Sequence, residues 1–210
     1  MSLAARVTRA PIPFDAARGQ DVAADYGASG PLRDLIAGTA GSSPYLHGLL
    51  VKERAWAESA FDDPEAAFDA LLAGTATQTA SNGTQLRIAK GRMALLVALC
   101  DLGGLWSLEE VTGALSRFAD VAVDRALSVA LAPLQAAGKL PSDPKLTVLA
   151  MGKLGAQELN YSSDIDLICL FDDAGLDSVA AAERRGPLIR AVRAAMKDLS
   201  EVTAEGYVFR

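Results

Sequence analysis

The sequence predicts an α+β fold, with an N-terminal helical region packed on a small mixed β-sheet. Three observations predict it. Apolar residues recur at helical spacing from Ser43 to about residue 140, two short β-prone runs follow at 146–151 and 166–171, and helical spacing returns over 180–204. The chain is accordingly read as an irregular leader (1–42), a helical domain (43–140) and a sheet-bearing region (141–210).

Bulk properties narrow the class. With 210 residues, half of them hydrophobic, the chain buries one sizeable core or two modest ones. A net charge of −6 and a pI near 4.8 provide no general basic field, so neither nucleic acid nor an anionic membrane is an expected partner. The longest apolar run, residues 93–100, is far short of the ~20 residues that a membrane-spanning helix needs. The first fifteen residues lack the apolar core of a secretory signal, which makes cytoplasmic residence the expectation. Cys100 and Cys169 lie in apolar stretches without a CxxC or histidine companion and read as free thiols.

Residues 1–42 are rich in Gly, Pro, Ala and Asp, which predicts loop with brief helices. Ser43-Pro44 opens a helix carrying Tyr45, Leu46, Leu49, Leu50 and Trp56, and Asp63-Pro64 opens the next, with Phe68, Leu71 and Leu72 on one side and Gly74 as its stop. Asn82-Gly83 precedes a long pattern in which Leu86, Ala89, Met93, Leu96 and Val97 predict a buried helix ending at Gly103-Gly104. Ser107 and Glu110 match a capping box, and the helix behind it is expected to reach Gln135 despite Pro133. After a turn-rich connector at 138–144, the two β-prone runs form a hairpin-like or crossed pair. The helix over 180–204 is expected to kink or divide at Gly186-Pro187, and Tyr207-Val-Phe209 to begin a third strand.

The chemistry concentrates in Met151-Gly-Lys-Leu-Gly-Ala-Gln-Glu-Leu-Asn-Tyr-Ser-Ser-Asp-Ile-Asp166, between the two runs. In extended backbone Asp164 and Asp166 point one way and Ile165 the other, so two carboxylates converge. Such a pair repels itself unless a cation is present, and Mg²⁺ favours one or two carboxylates supplemented by phosphate oxygens and water. Gly152 lets backbone approach a phosphate, Lys153 supplies positive charge, and Ser162 and Ser163 add hydroxyls. On spacing alone a solvated turn at a strand start stands slightly ahead as the account of D-x-D, because G-K-L-G lacks the full phosphate-loop pattern.

The run G-K-L-G-x-x-E-L-N-Y-S-S-D-I-D-L resembles the nucleotidyltransferase motif of bacterial glutamine synthetase adenylyltransferases, with eleven residues between Gly152 and Asp164 as in that family. The resemblance extends to Ser43-Pro-Tyr-Leu46, Leu86-Arg-Ile-Ala-Lys90 and the stretch 98–116. It implies that residues 141–210 are part of a nucleotidyltransferase core, truncated before the family's third carboxylate. It also implies the half that removes AMP from an adenylylated tyrosine by metal-dependent phosphorolysis, giving ADP and regulating nitrogen assimilation. Asp164 and Asp166 would then be catalytic metal ligands for Mg²⁺, in a two-metal site. Gly152, Lys153 and Ser163 would lie near an adenine nucleotide, either ATP or ADP, with phosphate as co-substrate. Glutamine synthetase and a PII-type regulatory protein would be the partners. Weak or absent turnover is expected of these residues by themselves.

A different class stays open, a non-catalytic module that binds glutamine synthetase or a PII-type regulator. A nucleotidyltransferase for small molecules or nucleic acid is disfavoured by the acidic charge. His47, Trp56 and Trp106 read as packing residues, Asp172 and Asp173 as solvated strand-end acids, and Glu158 as a loop or capping residue. Arg184, Arg185, Arg190, Arg193 and Lys197 fit a solvated helix face or a surface for an acidic partner.

Overall fold

The computed structural model describes residues 1–77, 83–175 and 177–210, and the chain divides into two compact units. One comprises residues 1–73 and 89–115, the other residues 74–88 and 116–210. Asn82 of the Asn-Gly pair lies outside the described residues.

The first unit starts with α1 (Leu3–Arg6), α2 (Ala16–Asp25) and α3 (Gly30–Ser42). The leader is therefore more helical than its composition suggests. Asp15 caps α2 by accepting from the Arg18 amide, and Pro31 occupies the first turn of α3. Glycine acts here as a contact residue, not as a breaker: a Cβ at Gly19 would strike the Ala37 carbonyl, and one at Gly38 the Pro11 carbonyl. Leu35, Ile36 and Ala40 of α3 are wholly buried.

Next come α4 (Pro44–Lys52), α5 (Arg54–Ala60) and α6 (Pro64–Thr77). Ser43 and Asp63 cap α4 and α6 as their positions predict, accepting from the Leu46 and Ala66 amides at 3.2 and 3.1 Å. Gly74 does not stop α6, which continues to Thr77, since a lone helical glycine lowers stability without breaking the backbone hydrogen bonds. In α7 (Gly83–Leu102), Leu86, Ala89, Met93, Leu96 and Val97 are all buried, as the periodicity predicts. The capping box before α8 (Leu108–Ala136) is reciprocal: Ser107 N–H donates to Glu110 Oε2 at 2.7 Å, and Glu110 N–H to Ser107 Oγ at 3.3 Å.

Within this unit Arg6 and the Trp106 indole converge on Glu65, at 2.6 and 2.8 Å. Trp106 is thus a packing anchor whose N–H is satisfied. Trp56 lies under the Arg92 guanidinium, 5.5 Å from its ring centroid.

In the second unit β1 (Leu146–Ala150) and β2 (Leu167–Phe171) pair antiparallel, with Leu146 opposite Phe171 and Ala150 opposite Leu167. One face is half-buried, and the other exposes Leu149, Ile168 and Leu170. Between the strands lies the short α9 (Gly152–Gly155). The last helix, α10 (Ser178–Ser200), runs through Pro187 undivided and stops before Val202, which is exposed. Proline removes one amide donor, and burial of Leu188, Ala191, Ala195 and Leu199 along one face holds the helix together. Arg87, 3 % exposed, donates to the Asp198 and Glu201 carbonyls at 2.8 to 3.0 Å and so caps the C-terminal end of α10.

Residues 207–210 do not form a third strand. Instead, the Val208 and Phe209 amides both donate to the Leu199 carbonyl, and the Phe209 ring packs 6.3 Å from Phe118 of α8. Cys100 is a buried free thiol whose pKa burial pushes up to about 12, and Cys169 is also free. No described helix is long and apolar enough to cross a membrane.

Candidate active site

The loop from Met151 to Asp166 is held at both ends by the strands it joins. Beyond the ladder, Met151 N–H donates to the Asp166 carbonyl at 2.9 Å. The chain then turns at Gly152, whose φ of +56° lies in the left-handed region open to glycine. A Cβ there would sit 4.0 Å from Asp166 Oδ2, so the glycine faces the second aspartate of the D-x-D pair. Gly155 is needed for a different reason: a Cβ on it would collide with the Ala150 carbonyl oxygen.

Two leucines fix the loop from below. Leu154 and Leu159 are each 1 % exposed, and the Leu159 amide donates to the buried Ser116 Oγ of α8 at 3.2 Å. Gln157, another left-handed residue at φ +58°, reaches the Leu154 carbonyl at 3.3 Å and Asp120 Oδ2 at 3.5 Å. Burial raises the Asp120 carboxyl, opposed by that hydrogen bond.

A tight turn follows. Asn160 Oδ1 accepts from the Ser163 hydroxyl at 2.6 Å and from the Ser162 amide at 3.2 Å, while Asn160 N–H donates to Ser163 Oγ at 3.3 Å. The chain leaves this turn extended through Asp164, Ile165 and Asp166. Asp164 and Asp166 are exposed, and Ile165 between them is half-buried. The alternation inferred from strand periodicity is present, although β2 itself starts only at Leu167. Ile165 N–H donates to the Arg210 carbonyl at 3.0 Å, bringing the terminal segment alongside the aspartates.

Neither aspartate side chain makes an ion pair or hydrogen bond among the described residues, and the exposed Lys153 side chain makes none either. Two neighbouring carboxylates without a protein cation suit a hard divalent ion whose remaining ligands come from phosphate and water. Among the described residues no three His, Cys, Asp or Glu side chains converge on one point. Asp172 turns away to a local role, with Oδ1 accepting from the Ala174 amide at 2.8 Å.

Of the residues singled out in the sequence, Gly152 and Asp166 are thus brought together, and Asp164 stands two residues before Asp166 on the same exposed side. Ser163 has its hydroxyl proton engaged by Asn160. Asn160 and Ser116 received no role from the sequence. Asn160 has a local signal, because an Asn two residues before a serine favours a turn closed by its own side chain. Ser116, 43 positions before Leu159, has none.

An α+β scaffold thus presents a D-x-D pair beside a glycine turn. The sequence profile of the glutamate-ammonia ligase adenylyltransferase family matches residues 32–210, and the chain belongs to that family. It is 40% identical over 201 residues to a bifunctional glutamine synthetase adenylyltransferase/adenylyl-removing enzyme of Bradyrhizobium sp. (strain ORS 278), an alignment covering 89% of this chain and 20% of the relative. A protein of the same description from Rhizobium meliloti (strain 1021) is 36% identical over 93% of this chain and 22% of its own length. Another, from Caulobacter vibrioides, is 36% identical over 80% of this chain and 19% of its own. The chain spans about a fifth of the length of the curated relatives it matches.

Proposed function

We propose that this chain supplies the helical lobe and the metal-binding aspartates of the half that removes AMP from an adenylylated tyrosine of glutamine synthetase. The observation that carries the reading is the pair Asp164 and Asp166, exposed on one side of an extended segment with Gly152 against the second carboxylate. Its family membership supports the class of reaction, and the resemblance of N-Y-S-S-D-I-D and of the helical stretches 43–46, 86–90 and 98–116 supports this half of the bifunctional relatives.

In the reaction, an oxygen of inorganic phosphate bonds to the AMP phosphorus while the bond from that phosphorus to the tyrosine oxygen breaks. The tyrosine oxygen takes up a proton, and the products are ADP and free tyrosine. Mg²⁺ held by Asp164 and Asp166 would neutralise charge on the transferring group and, as a pair of ions, stabilise attacking and leaving oxygens together. Gly152 gives the nucleotide phosphates close access to backbone, Lys153 adds a mobile positive charge, and Ser163 offers an oxygen lone pair at the edge of the site. A cytoplasmic location and a PII-type regulator belong to the same reading.

A second reading is a binding module for glutamine synthetase or its regulator: among the described residues no three His, Cys, Asp or Glu side chains cluster as a metal site. Incubation of the protein at high concentration with adenylylated glutamine synthetase, Mg²⁺ and phosphate separates the two. Slow ADP release, absent from an Asp164→Asn/Asp166→Asn variant, is the expected result. ADP no higher than in that variant would leave the module, and AMP incorporation from ATP into unmodified glutamine synthetase would assign the opposite half.

A further inference from the structure

Asp164 has no side-chain partner, so its direction is set by the backbone that delivers it. That backbone is anchored at two points before the aspartate. The first is the Leu159 amide on the buried Ser116 hydroxyl of α8. The second is Asn160, whose single Oδ1 gathers the Ser162 amide and the Ser163 hydroxyl, while its own amide returns to Ser163 Oγ. A further backbone bond, Ser163 N–H to the Asn160 carbonyl at 3.3 Å, closes the same turn. The bonds of the Asn160 turn all lie within four residues of Asp164, and after it the Ile165 amide is held by Arg210.

We infer that Asn160 is a positioning residue that orients Asp164 toward the divalent ion by closing the turn on Ser162 and Ser163. The inference rests on the reading of Asp164 and Asp166 as metal ligands. Without Oδ1 the turn loses both side-chain bonds, and Asp164 samples directions in which its carboxylate no longer shares a cation with Asp166. Both contacts to Oδ1 are acceptances, so the amide nitrogen of Asn160 is dispensable and an aspartate supplies the same acceptor. Alanine supplies none.

The test has two arms, using this protein and its Asn160→Ala and Asn160→Asp variants. The first is the Mg²⁺ concentration that half-saturates ADP binding, read by calorimetry. The second is amide hydrogen exchange at Ser162 and Ser163, read by NMR without metal. Asn160→Ala is expected to raise the Mg²⁺ requirement roughly tenfold, the effect of losing two modest hydrogen bonds, and to speed exchange at both serines. Asn160→Asp is expected to restore both, and the thermal midpoint is expected to stay constant across the three proteins, because Asn160 is exposed. An unchanged Mg²⁺ requirement in Asn160→Ala, or equal impairment of the two variants, overturns the positioning role alone. Absence of any Mg²⁺-dependent ADP binding in the unsubstituted protein overturns it together with the metal-site reading, whatever the exchange arm shows.

Discussion

The amide of Ile165, set between the two aspartates, donates to the carbonyl of Arg210 at 3.0 Å. The segment that provides this carbonyl is held by burial: Val208 is 0 % and Phe209 3 % exposed, and both amides use the Leu199 carbonyl. Removing the Phe209 ring by Phe209→Ala should cost about 3 kcal/mol, the usual order for an aromatic deleted from a packed interior. It should also speed hydrogen exchange at Ile165. Urea titration and exchange measurements check this, and an Ile165 amide as protected as before would sever the terminal segment from the site.

Arg87 presents a second dependence. Its guanidinium is almost wholly buried and serves the carbonyls of Asp198 and Glu201, with the Glu201 carboxylate at 3.8 Å. Arg87→Met leaves those acceptors without a donor inside the fold, which should cost about 3 kcal/mol. Chemical denaturation followed by circular dichroism measures it. A change below about 0.5 kcal/mol, the range of surface substitutions, would show that water replaces the guanidinium without loss.

The two loop glycines should respond differently to alanine. Gly155→Ala drives a methyl group into the Ala150 carbonyl, so β1 or α9 must shift and stability should fall by several kcal/mol. Gly152→Ala meets only the Asp166 carboxylate at 4.0 Å and pays chiefly for left-handed backbone, about 1–2 kcal/mol. Thermal melts of the two variants rank them, and the reverse order would contradict the geometry.

Acid sensitivity of the first unit should trace partly to Glu65. Burial raises its carboxyl, but hydrogen bonds from Trp106 and Arg6 outweigh this and hold it below the ordinary glutamate range. A depressed folded-state pKa contributes stability that is present above the unfolded pKa and lost as pH falls through the folded one. The stability difference between the protein and Glu65→Gln should therefore be full near neutrality and shrink as pH falls below the ordinary glutamate range through the depressed pKa. A difference independent of pH would mean that the Glu65 charge contributes nothing.

Much of this architecture was legible because its signals are local. Pro44 after Ser43, Pro64 after Asp63 and the Ser107/Glu110 box each satisfy helix-end amides within four residues, and the structure contains all three. The D-x-D alternation was legible because period two is a property of extended backbone. Three expectations failed where tertiary contact decides. The Gly- and Pro-rich composition of residues 1–42 suggested mostly loop, yet Gly19 and Gly38 are sites of close backbone approach within helices, Pro187 is absorbed by a helix buried along one face, and Tyr207–Phe209 packs on α8 and the end of α10 without pairing as a strand. The Ser116 to Leu159 bond joins positions 43 residues apart, beyond the reach of any spacing rule.

The central claim is that Asp164 and Asp166 together hold a divalent ion that binds the nucleotide. Calorimetry of ADP binding with and without Mg²⁺, on this protein and on Asp164→Asn/Asp166→Asn, tests it most directly. The account predicts Mg²⁺-dependent binding that the double variant loses while keeping its thermal midpoint. Binding that persists in the variant, or that ignores Mg²⁺, would contradict it.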